Sequence, residues 1–101
     1  MKLLIVTSVE HYHNEVLELF KKAKIESFSG SEIDGYKTAK SLLITNSWFS
    51  SKSGGAESIL LFSFTQDDKV DILFELIREF NKHLETSNPI KAVVVPIEKH
   101  I

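Results

Sequence analysis

Two of the four histidines in this 101-residue chain, His11 and His13, stand one residue apart. Neutral imidazoles are good ligands for zinc, copper and nickel, so a His-x-His pair carries a chemistry of its own. In an extended stretch both rings point the same way, whereas on a helix two-residue neighbours face apart. The pair falls at the junction of a strand and a helix, which leaves both geometries open. Two histidines without cysteine fall short of a full coordination set. His83 and His100 could complete one across a subunit boundary, and an exposed pair that holds no ion is the plainer reading. The chain has no cysteine, which removes disulfides, thiolate zinc sites and thiol nucleophiles together.

Other catalytic constellations are thin. Serines abound, but none lies in a nucleophile-elbow pattern. Glu15, Glu18, Asp71, Glu75 and Glu79 have the spacing of solvated helix faces, and Gly54-Gly55 lacks the lysine and the serine or threonine of a phosphate loop. The sequence therefore predicts a protein that is not an enzyme. Trp48 and Phe49 invite a different chemistry. Large aromatics flanked by serines are costly to expose and often anchor interfaces, so they either capture a partner or fold back onto their own assembly.

Charge narrows the class of partner. A formal net charge of -2 arises from 12 basic and 14 acidic side chains spread along the chain, which gives no electrostatic footprint for nucleic acid. All the basic residues but Arg78 are lysines, which limits bidentate phosphate recognition. Apolar residues at 43% and charged residues at 26% fit one folded globular domain over 1–101. The first apolar run, Leu3 to Val6, is too short for a signal-peptide core or a membrane span. The expectation is a cytoplasmic protein without direct membrane insertion.

The elements that must position these groups follow from periodicity. Leu3 to Val6 predicts a first strand with both faces covered. Tyr12, Val16, Leu19, Phe20 and Ala23 recur at three- and four-residue steps and predict a helix ending near Lys24. Ile25 to Asp34 reads as a weaker strand nearer an edge, extended by Ser41 to Thr45. The serine-rich segment from Asn46 to Gly55 reads as a hairpin tip or loop. Ile59 to Phe64 is the strongest strand. Asp67 or Asp68 is the candidate N-cap of a second helix, whose stripe of Val70, Leu73, Ile77, Phe80 and Leu84 runs toward a stop at Asn88-Pro89. Ala92 to Val95 forms the last strand, closed by Pro96.

This order is that of the ferredoxin-like βαββαβ sandwich of the α+β class, with two helices on one face of a four-stranded antiparallel sheet. It leaves a face to cover. The first, third and fourth strands are apolar on both sides, and a wet face would forgo roughly 1.5 to 3 kcal/mol per large side chain. Self-association through the open faces is the simplest cover. Alternation offers Ile59 and Leu61 as the outward positions of the third strand.

Nearly the whole chain resembles the PII signalling proteins and their shorter PII-like relatives. Asn14-Glu15-Val16 looks like the opening of that family's first helix, and Glu32-Ile33-Asp34-Gly35-Tyr36 is similar to the segment leading into its T-loop. Asp67-Asp68-Lys69-Val70-Asp71 resembles the acidic start of its second helix, and Lys91-Ala92-Val93-Val94-Val95-Pro96 its last strand with the preceding B-loop lysine. The resemblance implies a homotrimer in which residues 37–55 act as the T-loop and present Trp48 and Phe49 to a target protein. It also implies a ligand cleft around Gly35, Lys37 and Lys91.

Departures from the pattern qualify these implications. Where the family has Gly-Phe-Gly-Arg the chain has Gly35-Tyr36-Lys37-Thr38, and Asn88-Pro89-Ile90 stands where glycines precede the lysine. Nucleotide binding is therefore expected to be weak or absent. No tyrosine lies between Lys37 and Glu57 to accept the modification used by nitrogen-regulating members. The shortened pattern looks more like the small PII-like proteins associated with heavy-metal efflux transporters, which implies a membrane transporter as target. CutA, a related trimeric fold linked to metal tolerance, is the more distant comparison. It implies the alternative of a metal-binding protein using His11 and His13 on a divalent ion.

Overall fold

The computed structural model describes residues 1–36, 55–84 and 87–101. Strand β1 (Lys2–Val9) passes through a 3-10 turn (Glu10–Tyr12) into helix α1 (His13–Lys22). Strands β2 (Ser29–Tyr36) and β3 (Gly55–Thr65), helix α2 (Asp67–Asn81) and strand β4 (Lys91–Pro96) follow. The strands form one sheet in the order β2-β3-β1-β4, antiparallel throughout. This is an α+β domain with two α-helices and a four-stranded antiparallel sheet, an arrangement compatible with the ferredoxin-like sandwich. The weaker second strand does lie at an edge.

The core sits between the helices and one face of the sheet. Val16, Leu19 and Phe20 of α1 and Val70, Leu73 and Ile77 of α2 are buried against Leu4 and Val6 of β1 and Ile59 and Leu61 of β3. Both helices thus show the 3.6-residue stripe expected of them. Phe20, fully buried, meets Phe28 at a centroid distance of 4.8 Å, and Tyr12 meets Phe80 edge-on at 5.2 Å.

Several boundaries differ from the sequence reading, each for a local reason. The first helix ends in a Schellman closure: the Lys24 amide donates to the Lys21 carbonyl and the Ile25 amide to the Phe20 carbonyl, both at 3.0 Å. Lys24 takes the left-handed conformation, φ 62°, that such a closure usually gives to glycine, so the stop carries no glycine signal. Ile25 is buried as part of this cap and precedes the second strand instead of starting it. Gln66 occupies the N-cap position of the second helix without a side-chain capping bond, and Asp67 and Asp68 lie in its first turn, where carboxylates favour the positive end of the dipole.

A non-glycine residue in the left-handed region costs about 1 to 2 kcal/mol, part of which glycine returns as unfolded-state entropy. Lys24→Gly is therefore expected to raise stability by about 0.5 to 1 kcal/mol. Urea unfolding checks this, and an unchanged midpoint would show that the cap holds Lys24 without strain.

The direction of the third strand's side chains is a larger correction. Ile59 and Leu61 are 3% and 5% exposed and face the helices. Their neighbours Leu60, Phe62 and Phe64 point to the opposite side. Gly30 of β2 stands across from Leu61, and a Cβ there would lie 2.4 Å from Leu61 Cδ2. The absent side chain lets Leu61 lie over the edge strand.

Candidate functional site

His11, His13 and His83 are each engaged locally. His11 is exposed on the 3-10 turn, its ring 5.0 Å from that of Tyr12. His13 opens α1 and places Nδ1 3.1 Å from Glu10 Oε1. The pair thus stands on helical geometry, where neighbours two apart diverge. No group of three or more metal-capable side chains gathers among the described residues, so His83 and His100 do not complete a site with the pair within one chain.

His83 instead closes the end of α2. Its Nε2 lies 3.1 Å from Glu79 Oε2, and Lys82 Nζ lies 3.6 Å from the other carboxylate oxygen. The hydrogen bond from His83, aided by the charge of Lys82, lowers the Glu79 carboxyl below the usual glutamate range. A depressed carboxyl contributes stability that is present above the unfolded pKa and lost as pH falls through the folded one. All three side chains are exposed, so the contribution is small. An NMR titration is expected to find Glu79 below the ordinary range in the native chain and shifted upward in His83→Ala.

The residues of the expected ligand cleft are spread out. Gly35 lies on β2 opposite Ala56, and Lys91 opens β4 opposite Thr7. β2 and β4 are the two edges of the sheet. Three strand spacings separate them by about 14 Å laterally. Four further residues along β3, from Ala56 to Leu60 opposite Thr7, add about 13 Å along the strands. One chain does not bring Gly35 and Lys91 together. Lys37, Trp48 and Phe49 lie outside the described residues.

A hollow of about 360 Å³ opens between the 3-10 turn and the edge strand, lined by Glu10, Glu32, Ile33, Asp34, Glu57 and Ser58. Asp34 and Glu57 are direct cross-strand partners, a like-charge pairing that costs stability. With four carboxylates and no cation among the described residues of its lining, the hollow disfavours phosphate. The single guanidinium, Arg78, pairs with Glu75 on the exposed side of α2, with Phe74 beneath it.

The most distinctive surface is the sheet face turned away from the helices, which sequence reasoning anticipated but oriented wrongly on β3. Its pairing can be followed row by row. Phe64, Leu3 and Val95 stand side by side across β3, β1 and β4, and Phe62, Ile5 and Val93 form the next row. Phe64, Val95 and Phe62 are 58%, 41% and 37% exposed, and the two phenyl rings meet edge-on at 6.2 Å. The third row is more polar, with Ser31, Leu60, Thr7 and Lys91. Thr7 is 2% exposed, and its hydroxyl makes no hydrogen bond with the described residues.

No model of a known protein family matches the chain, and no curated protein matches it either. Among the described residues no helix is long and apolar enough to cross a membrane.

Proposed function

We propose that this chain is a cytoplasmic, non-catalytic regulatory protein of PII-like type, a homotrimer that binds a partner protein through residues 37–55. The partner expected from the resemblance is the cytoplasmic face of a membrane transporter. The observation that carries this reading is the β2–β3 ladder, which stays paired through Tyr36 and Gly55. The pairing of Tyr36 with Gly55 sets the two described ends that flank residues 37–54 side by side. A rigid scaffold holding an aromatic-bearing connection suits partner capture.

The carboxylate-lined hollow and the engaged Arg78 support weak nucleotide binding at most. Low-micromolar affinity for ATP, ADP or a cyclic nucleotide in a titration would overturn that part of the reading.

Pull-down from membranes of cells expressing candidate transporters tests the central claim. Trp48→Ala is expected to cut capture by at least about tenfold, the loss of one buried aromatic anchor, while leaving assembly intact. Unchanged capture sinks the loop. The second reading, metal binding by His11 and His13, draws on the contact of His13 Nδ1 with Glu10 Oε1. Calorimetry with zinc, copper and nickel favours it if heat of binding disappears in His11→Ala and His13→Ala.

A further inference from the structure

Among the described residues β2 pairs on one side only, with β3, and its other side is an edge of the sheet. Alternate amides and carbonyls of an edge strand point outward, a template for a further strand. The opposite edge is blunted: β4 begins at Lys91 and ends at Pro96, and lysine and proline both discourage pairing. β2 carries neither over Ser29–Tyr36, and all of its residues but Ile33 and Gly35 are exposed. Two hollows run along this edge on the side of the helices. Gly30, Glu32 and Asp34 stand opposite Leu61, Ile59 and Glu57, so they share the face on which Ile59 and Leu61 are buried. The carboxylate-lined hollow lies beside Glu32 and Asp34. A second hollow, of about 210 Å³, lies beside Gly30 and Glu32 and is lined by Ile59, Leu61 and His13 of α1. One spans positions 32–34 of β2 and the other 30–32. The offset of two residues, about 7 Å, is the spacing of successive same-face side chains in an added strand.

We propose that the open edge of β2 is a docking site for an extended basic segment of a partner protein, which adds to the sheet as a further antiparallel strand. One lysine or arginine of the segment enters the carboxylate hollow, and an apolar residue two positions later covers Ile59 and Leu61. The order follows from antiparallel pairing, which runs throughout this sheet and is the more stable per residue. The pairing edge is what points to a ligand and supplies the affinity, and the side-chain hollows supply the selectivity. A second copy of β2 is a poor occupant. An antiparallel pair centred on Ile33 sets Glu32 of each copy against Asp34 of the other, and like charges directly opposite destabilise a pair. This surface is separate from residues 37–55, so the inference goes beyond the proposed function and does not rest on it.

A fluorescent eight-residue peptide of threonines, with one lysine and one valine two positions after it, probes the site in a polarisation titration of the full chain. It is expected to bind saturably, at least about tenfold more tightly than the same peptide with glutamate in place of lysine. Methylating the alternate set of peptide nitrogens that faces β2 removes ladder bonds and is expected to cost at least about tenfold, whereas methylating the other set leaves binding unchanged. Glu32 is exposed and borders both hollows. Glu32→Lys is therefore expected to weaken the lysine peptide at least about tenfold and to admit the glutamate peptide, with circular dichroism unchanged. Hydrogen exchange is expected to slow at the β2 amides, and not in α2, when the peptide binds. Absence of saturable binding, equal binding of the glutamate peptide, or indifference to which nitrogens are methylated overturns the site. β2 amides that grow protected with the concentration of the free chain give the edge to a second copy and overturn the basic partner.

Discussion

Ile59→Lys is expected to unfold the chain, while Phe64→Lys, five residues further along the same strand, leaves the fold standing. Ile59 is 3% exposed and belongs to the core between the sheet and the helices. The nearest carboxylate across the ladder is Glu32, its direct partner on β2. That pairing lies on an exposed edge strand and cannot follow an ammonium into the core. The lysine must either give up its charge or pull Ile59's neighbours apart to reach water. The combined loss of apolar burial and desolvation of the amine costs about 4 kcal/mol or more. Against a total stability of about 5 to 15 kcal/mol for a domain of this size, little is left. Thermal melting followed by circular dichroism decides it. A cooperative transition within a few degrees of the native one in Ile59→Lys would mean that β3 is turned the other way. The contrast with Phe64→Lys separates a folding defect from an assembly defect, which a lysine at Ile59 alone cannot do.

The order of the elements was legible because each carried its own signal: β-branched runs for the strands, three- and four-residue steps for the helices. The facing of β3 was not legible, because both of its alternating sets are apolar over Ile59 to Phe64. Polarity even points the wrong way. Ser63 is buried and donates to the Ser27 carbonyl at 2.7 Å, whereas Phe62 and Phe64 on the opposite side are exposed. Only the register with β1, which sets Ser63 beside Leu4 and Phe62 beside Ile5, resolves the choice, and register is a long-range property. Lys24 likewise concealed the end of α1, since a left-handed cap is usually announced by glycine. Of the candidate site residues, Gly35 and Lys91 were expected just outside the strands and instead lie within β2 and β4. Their separation at opposite edges follows from the strand order, which no short motif encodes.

Asn81 was missed altogether, and its removal should rank with the costliest single changes outside the apolar core. The expected stripe carried α2 through Leu84, but the helix stops at Asn81, whose side chain is used for something else. Its Nδ2 donates to the Ile90 carbonyl at 3.0 Å, and its Oδ1 accepts from the Ile90 amide at 2.9 Å. The amide thus imitates a strand neighbour and clamps the start of β4 to the end of α2. Ile90 is 2% exposed, so both backbone groups would be left without partners in a buried setting. In Asn81→Leu each orphaned group costs about 1 to 3 kcal/mol, or about 2 to 6 kcal/mol together. Asn81→Asp is the sharper variant. A carboxylate still accepts from the Ile90 amide but faces the Ile90 carbonyl with a second acceptor, so it should recover only part of the loss. The same clamp fixes where Lys91 enters the sheet, one residue on. Native-state hydrogen exchange is expected to find the Ile90 amide strongly protected in the native chain and at least about tenfold less so in Asn81→Leu, with urea unfolding giving the matching loss. Full protection of Ile90 in Asn81→Leu would mean that water or another group takes over the pairing, and that the clamp does not hold β4.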